Sequence, residues 1–455
     1  MRIKSALAAA AVLALAAACG SGGGGGQSSS SSSSAPGEAV KLNFLSLAWQ
    51  KESVAANKQI VDDWNKANPG IQVTYVQGSW DNVNDQLVTQ FAGGTAPDVI
   101  HNESPALSGF AADGYLLDLT GKLPAELKSD IPQPAWDTVT FDDGKGGNGV
   151  YGVPFLQESQ VIIANKKLLD ASGVRVPTPD NPWTWDEFSE AAKKMTAKRP
   201  IVTSSSGSGT ETGQGYGVAW AMKSPVNKTL NLALNFGGTF FQTGADGKTT
   251  VKVGPEEREV LQRIHDQLYK DKSADPAALG QGTADPLPAF FQDKFAMLPA
   301  GVYLRQQVAE QAPKGFEWVT LPAPKGTTAE QGAVSQTLSI AQDSKHPDEA
   351  MKFIAYFLNG ENQAKLAKGD WLLPTSQKAA ADPSITGKEN GWDVATASAK
   401  NLVVAPFLKV KGFDEWKSKV ATPVLQEYYA NKISIDDVAK RLVEDGNKVL
   451  ERYQR

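Results

Sequence analysis

The chain has 455 residues, too many for one hydrophobic core, so two lobes are expected. Its 41% hydrophobic and 21% charged residues are those of an ordinary globular protein. A net charge of −5 argues against nucleic acid as the main partner and says little about a small neutral ligand.

Residues 1–18 read as a signal peptide: Arg2 and Lys4, then an apolar run from Ala6 to Ala18 that is too short to span a bilayer. Cys19, the only cysteine, follows Ala16-Ala17-Ala18. This resembles a bacterial lipobox, with Leu15 one position further from the cysteine than is usual; an ordinary cleaved signal with a chance cysteine is the other reading. Residues 20–37 are almost wholly Gly and Ser, have no apolar surface to bury, and are expected to be flexible coil. Residues 19–40 therefore read as a lipidated cysteine and tether. Once Cys19 is lipidated no thiol remains for a disulfide, so stability must come from the cores.

The folded part opens with a strand over 41–47, after which Trp49 follows in a loop. A helix over about 53–67 puts Ala56, Ile60, Trp64 and Ala67 on one face and stops at Asn68-Pro69-Gly70. Ile71, Val73 and Tyr75 alternate as a second strand, completing a βαβ unit. Leu87 and Phe91 mark the next helix. Val99 and Ile100 form a short strand, and Ser104 caps a helix that begins at Pro105 and ends at Gly114. His101, Asn102 and Glu103, just past a strand end, should overlook a ligand crevice in an open α/β sheet.

Residues 142–149 are glycine-rich but lack the Lys-Ser/Thr pair of a phosphate loop, and read as a hairpin turn. Between Tyr151 and Trp185 the chain reads as a passage between two bodies. Pro154 fixes its own φ at about −65° and holds Val153 extended; the polar patch Gln157–Gln160 and the strand formers Val161, Ile162 and Ile163 follow. Thr184-Trp185-Asp186-Glu187 is a capping box. Residues 203–215 read as a mobile loop. Helices are expected near 227–234, 255–270 and 287–292, a strand over 295–298, and another helix opened by Gly301-Val302-Tyr303. Strands over 316–321 and 336–341 flank Pro322-Ala323-Pro324, a candidate second crossing. A helix follows from His346 to Gly360, and Trp371 to Thr375 reads as a third crossing. Helices over about 414–430 and 434–452 close the chain.

Two stretches carry a resemblance. Tyr151, Gly152, Val153 and Pro154, then Asn165, Lys166, Leu168 and Leu169, then Pro182, Thr184, Trp185 and Phe188 resemble the first interlobe crossing of the family 1 extracellular solute-binding proteins, the receptors of sugar-importing ABC transporters. Pro97-Asp98-Val99, a helix, and Gly114-Tyr115-Leu116-Leu117-Asp118-Leu119 are similar to a second pattern of that family. The resemblance spans nearly all of residues 41–455. It implies an α/β fold of the two-lobed periplasmic-binding-protein type II class, each lobe a mostly parallel sheet flanked by helices, joined by a three-segment hinge. Lobe one would be residues 41–155 plus 322–372, and lobe two 156–321 plus 373–455.

Catalytic signatures are sparse. There are three histidines; His265 and His346 read as surface residues, and His101 has no placed cysteine or serine beside it, so a structural role is the better reading. No H-E-x-x-H, paired C-x-x-C, Walker, dinucleotide or EF-hand motif occurs, and no metal or cofactor is expected. Acidic residues are too many to exclude a glycosidase pair by counting. A sugar site needs aromatic faces for C–H groups and planar polar side chains for hydroxyls. Trp49, beside Gln50 and Lys51, and the strand-end residues Asn102 and Glu103 suit that need. The resemblance adds a sugar-contacting acid at Glu158, an aromatic platform at Tyr303, a lobe-two contact at Asn227, and segments that approach the cleft at Gln336, Trp371, Phe413 and Trp416. It implies a monomeric receptor on the outer face of a bacterial membrane, lipid-anchored, which hands a mono- or oligosaccharide to ABC permease subunits. A polyol phosphate or other non-sugar solute is the alternative ligand, with Arg305 the one obvious base near a platform. A secreted glycosidase is the alternative from another class.

Overall fold

Leu42 and Phe44 are buried while Lys41 and Asn43 are exposed, so the first strand starts with one core face and one solvent face, and from Leu45 on it is buried on both. The structure, a computed structural model, describes residues 39–142, 147–202 and 210–454. The signal, Cys19 and the tether lie outside the described residues. Among those described, no helix is long and apolar enough to cross a membrane.

The strands of the two large sheets are β1 (Val40–Ser46), β2 (Ile71–Gln77), β3 (Val99–Glu103), β4 (Val153–Glu158), β5 (Gln160–Asn165), β6 (Ala197–Val202), β7 (Thr210–Val218), β8 (Phe295–Gly301), β9 (Trp318–Pro322), β10 (Val334–Ile340) and β11 (Leu373–Pro374). A six-stranded sheet has the order β11-β4-β10-β3-β1-β2, and a five-stranded sheet the order β9-β5-β8-β7-β6. The chain leaves the first sheet for the second across Ser159 alone. It returns between Pro322 and Val334, and after Pro374 its side chains, among them Phe407, Trp416 and Leu442, fill the second core.

The βαβ unit is present: β1 and β2 are parallel, and the helix Lys51–Ala67 between them buries Ile60, Val61 and Trp64. The sheets are mixed rather than mostly parallel. Only β1–β2, β1–β3 and β7–β8 are parallel; β10, arriving from the other sheet, runs against both β3 and β4.

Aromatic rings fix each core. Phe44 meets Phe353 and Phe357 edge-on at 5.5 and 5.0 Å, and Trp185 stacks on Trp220 at 6.3 Å. The capping box is intact, with Thr184 Oγ1 accepting the Glu187 N–H and Glu187 accepting the Thr184 N–H.

Several expectations are corrected. Ser104 does not cap the helix Ser104–Ala112; its hydroxyl accepts the N–H of Ser335 in the neighbouring strand. The part of the expected mobile loop from Thr210 onward is strand, paired with β6; residues 203–209 lie outside the described residues. Residues 140–142 and 148–150 pair as a hairpin whose apex, 143–146, also lies outside them. Gly360 does not end a helix: Asn359 Oδ1 accepts the Asn362 N–H and starts a further helix, Gly360–Asp370. The expected helix over 414–430 is interrupted by a wide turn, Lys417–Ala421, just before Pro423, which has no N–H for a regular ladder.

Candidate functional site

β10 runs antiparallel to both β3 and β4, so these two end at the same sheet edge, as does β1, which is parallel to β3. Trp49, Glu103 and Glu158 therefore leave the six-stranded sheet on one side. In the other sheet, β8 runs against β5, which puts its last residue, Gly301, opposite Gln160. Ser159 O accepts the Val302 N–H at 2.9 Å, joining the two edges at the crossing.

Tyr303 follows two residues after β8. Its ring meets that of Trp49 edge-on at 6.3 Å, a contact between elements that follow different sheets. A Cβ placed on Gly301 would lie 2.3 Å from Glu158 Oε1 and 2.5 Å from Tyr303 Cε1, so both side chains cover that glycine. Gly301→Ala is expected to cost about 1–3 kcal/mol in urea unfolding, because both side chains must leave their places; a loss below about 0.5 kcal/mol would show that both relax freely.

Charge gathers here. Burial first, and then the charge of Glu103, push the Glu158 carboxyl up to about 7; Gln160 Nε2, which donates to Glu158 at 2.7 Å, and the Lys228 ammonium pull the other way. Burial brings Lys228 down to about 8, against the pull of Glu158. Lys228 Nζ donates to the carbonyls of Pro299 (3.0 Å) and Ala221 (3.4 Å). The Tyr303 hydroxyl is pushed up by burial and by Glu158. Asp414 is raised to about 6, by burial first and then by Glu103, while Lys417, 4.0 Å from Glu103, lowers it. A groove of about 510 Å³, walled by Trp80, Asn84 and Phe110 on one side and Asp414 and Lys417 on the other, borders this cluster.

Trp49, Glu103, Glu158 and Tyr303 are thus brought together. Asn102 is not available: buried, it donates to Asn84 Oδ1 and accepts the Glu103 N–H. Gln336 is held by His101, whose Nδ1 accepts the Leu47 N–H, so Nε2 carries the proton toward Gln336 Oε1 at 3.1 Å. Burial lowers His101 to about 3, and the ring stays neutral as a structural residue. Asn227 is half-buried at the first turn of Pro225–Ala233. Trp371 lies against Trp392 at 5.6 Å and lines a different groove, of about 680 Å³, with Glu52 and Gln306. Phe413 and Trp416, 1% and 0% exposed, are core residues packed on Phe407 and Phe241 and drop out as ligand contacts.

Lys228, Gln160, Asp414 and Lys417 were not anticipated. In 413–417 the reading favoured the aromatic residues, and the helical turn points the charged ones outward instead. Among the described residues no cluster of three His, Cys, Asp or Glu side chains is arranged to hold a metal.

The family model for the bacterial extracellular solute-binding proteins matches residues 48–364. The chain is also 48% identical over 408 residues to an uncharacterized lipoprotein from the oleD 5′ region of Streptomyces antibioticus, covering 89% of this chain and 86% of that one. The chain is a bacterial extracellular solute-binding protein. This solute-binding protein is 27% identical over 322 residues to the multiple sugar-binding protein of Streptococcus mutans, covering 70% of this chain and 71% of that one. Its fold matches an ABC substrate-binding protein from Listeria monocytogenes in complex with cycloalternan, with a TM-score of 0.73, 24% identity, and coverage of 91% and 100% of the two chains. A maltose-bound T. maritima protein gives 0.72, with 22% identity and coverage of 91% and 100%. The fold is accordingly the two-lobed type II class of periplasmic binding proteins.

Proposed function

We propose that this protein captures a mono- or oligosaccharide between its two lobes and delivers it to an ABC permease, tethered to the outer face of the membrane through lipid on Cys19. The observation that carries this reading is the pairing of Trp49 with Tyr303 beside Glu158 and Glu103, which brings residues from the ends of both sheets together. Aromatic faces suit the C–H surface of a pyranose, and the carboxyls suit its hydroxyls. The sugar-binding name of the S. mutans protein and the cycloalternan complex of the L. monocytogenes protein support it, and the S. antibioticus lipoprotein supports the anchor. Lobe one would be residues 41–155 plus 322–372 and lobe two 156–321 plus 373–455; β4, which stays in the six-stranded sheet to Glu158, argues for moving the first boundary to Ser159, and β11, which pairs with β4 in that sheet, for moving the last one past Pro374.

The mechanism is binding with no bond made or broken. The sugar displaces water from the rings, its hydroxyls exchange water for carboxyl and amide partners, and extra contacts in the closed form shift the population toward closure. A polyol phosphate fits less well, because Arg305 spends its donors on the carbonyls of Val302, Asn390 and Trp371.

A thermal-shift screen over neutral sugars, amino sugars and phosphate esters tests the reading; a carbohydrate at a hundred times its dissociation constant should add about 2.7 kcal/mol. Trp49→Ala should weaken that binding by about 1 kcal/mol or more, with little change in stability, since Trp49 is 48% exposed. Stabilisation by a phosphate ester and by no carbohydrate would overturn the proposal. Release of reducing ends from an oligosaccharide would point to a glycosidase using Glu158 and Glu103.

A further inference from the structure

Three carboxyls from three separate elements converge on the cleft: Glu103 at the end of β3, Glu158 at the end of β4, and Asp414 in the turn Phe413–Trp416. β10 lies between β3 and β4, with Gln336 opposite Glu103 and Val334 opposite Glu158, so the two glutamates flank β10 at one end of the sheet, two residues out of step. Lys417, just past the turn that carries Asp414, reaches Glu103, and the charge of Glu103 raises both other acids.

The cations set against them are two. Lys417 approaches Glu103 only to 4.0 Å. Lys228, 9% exposed, lies over the Trp220 ring and donates to two backbone carbonyls, so it is pinned behind Glu158 rather than paired with it. Among the described residues neither Glu158 nor Asp414 has an ion pair within 4 Å. The remaining charged group on that turn, Glu415, is engaged by Lys419 and Arg452, and His101, within β3 itself, is neutral. Once Glu158 is ionised, the site therefore holds one carboxylate more than it has ammonium groups to match. Its platforms, Trp49 and Tyr303, present π faces that also attract cations.

A neutral sugar offers these acids hydroxyls and leaves their mutual repulsion in place. An ammonium on the sugar removes it. We propose that the cleft selects a carbohydrate carrying a free amino group, an amino sugar in its ammonium form, with Glu103, Glu158 and Asp414 around the charge. This rests on the carbohydrate reading above and goes one step further, to the class of sugar.

The test is isothermal titration of the full chain with glucosamine against glucose, and with the unacetylated disaccharide chitobiose against cellobiose and N,N′-diacetylchitobiose. At about pH 7 the amino form should bind at least about tenfold more tightly than its neutral counterpart, the equivalent of one unit of carboxyl pKa. Lowering the pH to about 5 should shrink that ratio, because the raised carboxyls take up protons and lose the charge that attracts the amine. Glu103→Gln should shrink it too, and Glu103→Asp should restore part of it. Equal or tighter binding of any neutral sugar would overturn the selectivity and leave the carbohydrate reading standing. If no sugar of either kind bound, both would fall.

Discussion

Glu158→Gln is expected to make the protein more stable at alkaline pH and a poorer receptor. A glutamate in the unfolded chain loses its proton near 4.5, whereas burial and Glu103 hold the proton on Glu158 up to about 7. Between those values the folded state binds more protons than the unfolded one. The contribution is therefore fully present below 4.5 and is lost as pH rises through 7. Glutamine cannot ionise, and its amide oxygen still accepts from Gln160 Nε2. At about pH 8 the variant should gain about 1–3 kcal/mol in urea unfolding over the parent, and at about pH 5 much less. Lys228 would reduce the gain, since its ammonium draws support from Glu158. Parallel pH profiles for the two proteins would show that another group controls the trend. The same change should weaken carbohydrate binding by about 1 kcal/mol or more, a trade of function against stability usual at charged sites.

Arg305→Ala should produce the largest loss of stability among single changes near the cleft, about 3–5 kcal/mol. The side chain is fully buried. Its Nε donates to Val302 O at 2.7 Å, and its Nη1 and Nη2 donate to Asn390 O and Trp371 O, each at 3.2 Å. The guanidinium lies 4.4 Å from the ring centre of Trp392 and 5.4 Å from that of Trp371. Burial lowers its pKa to about 9, and the nearest acid acting on it is Asp393. Two indole faces and three carbonyls thus hold a cation that has little carboxylate support. Alanine would leave those carbonyls without donors and open a gap between the rings. Lysine should recover only part, because one ammonium cannot reproduce a planar fork. A loss under about 1 kcal/mol for alanine would mean that water replaces the guanidinium.

Local chemistry was legible in the sequence wherever one residue decides the backbone. Asn68-Pro69-Gly70 ended the first helix, and Thr184 with Glu187 started another. Pro154 and the polar residues after it marked the crossing, and the family resemblance added Glu158 there as a candidate acid. What sequence could not supply was direction across strands. Parallel or antiparallel pairing of β10 depends on where the chain re-enters the sheet, which no local pattern records. Aromatic residues misled for a related reason. Phe413 and Trp416 have the composition of a sugar platform, yet the wide turn before Pro423 packs both against Phe241. Thr210 to Gly215, rich in Thr and Gly, looked like a loop because its strand character comes from pairing with Ala197–Val202. Lys228 stayed hidden because a lysine in a helix reads as solvated surface.

Only Ser159 separates Glu158, the acid proposed to meet the guest, from Gln160, whose N–H and carbonyl are both held by the Gln331 side chain as the chain enters the other sheet. On the proposed function, detection and movement would share this one residue. A pull on that carboxyl would then turn the backbone at the crossing between the sheets, so a fluorophore placed at either rim should report occupancy without any relay through the protein interior.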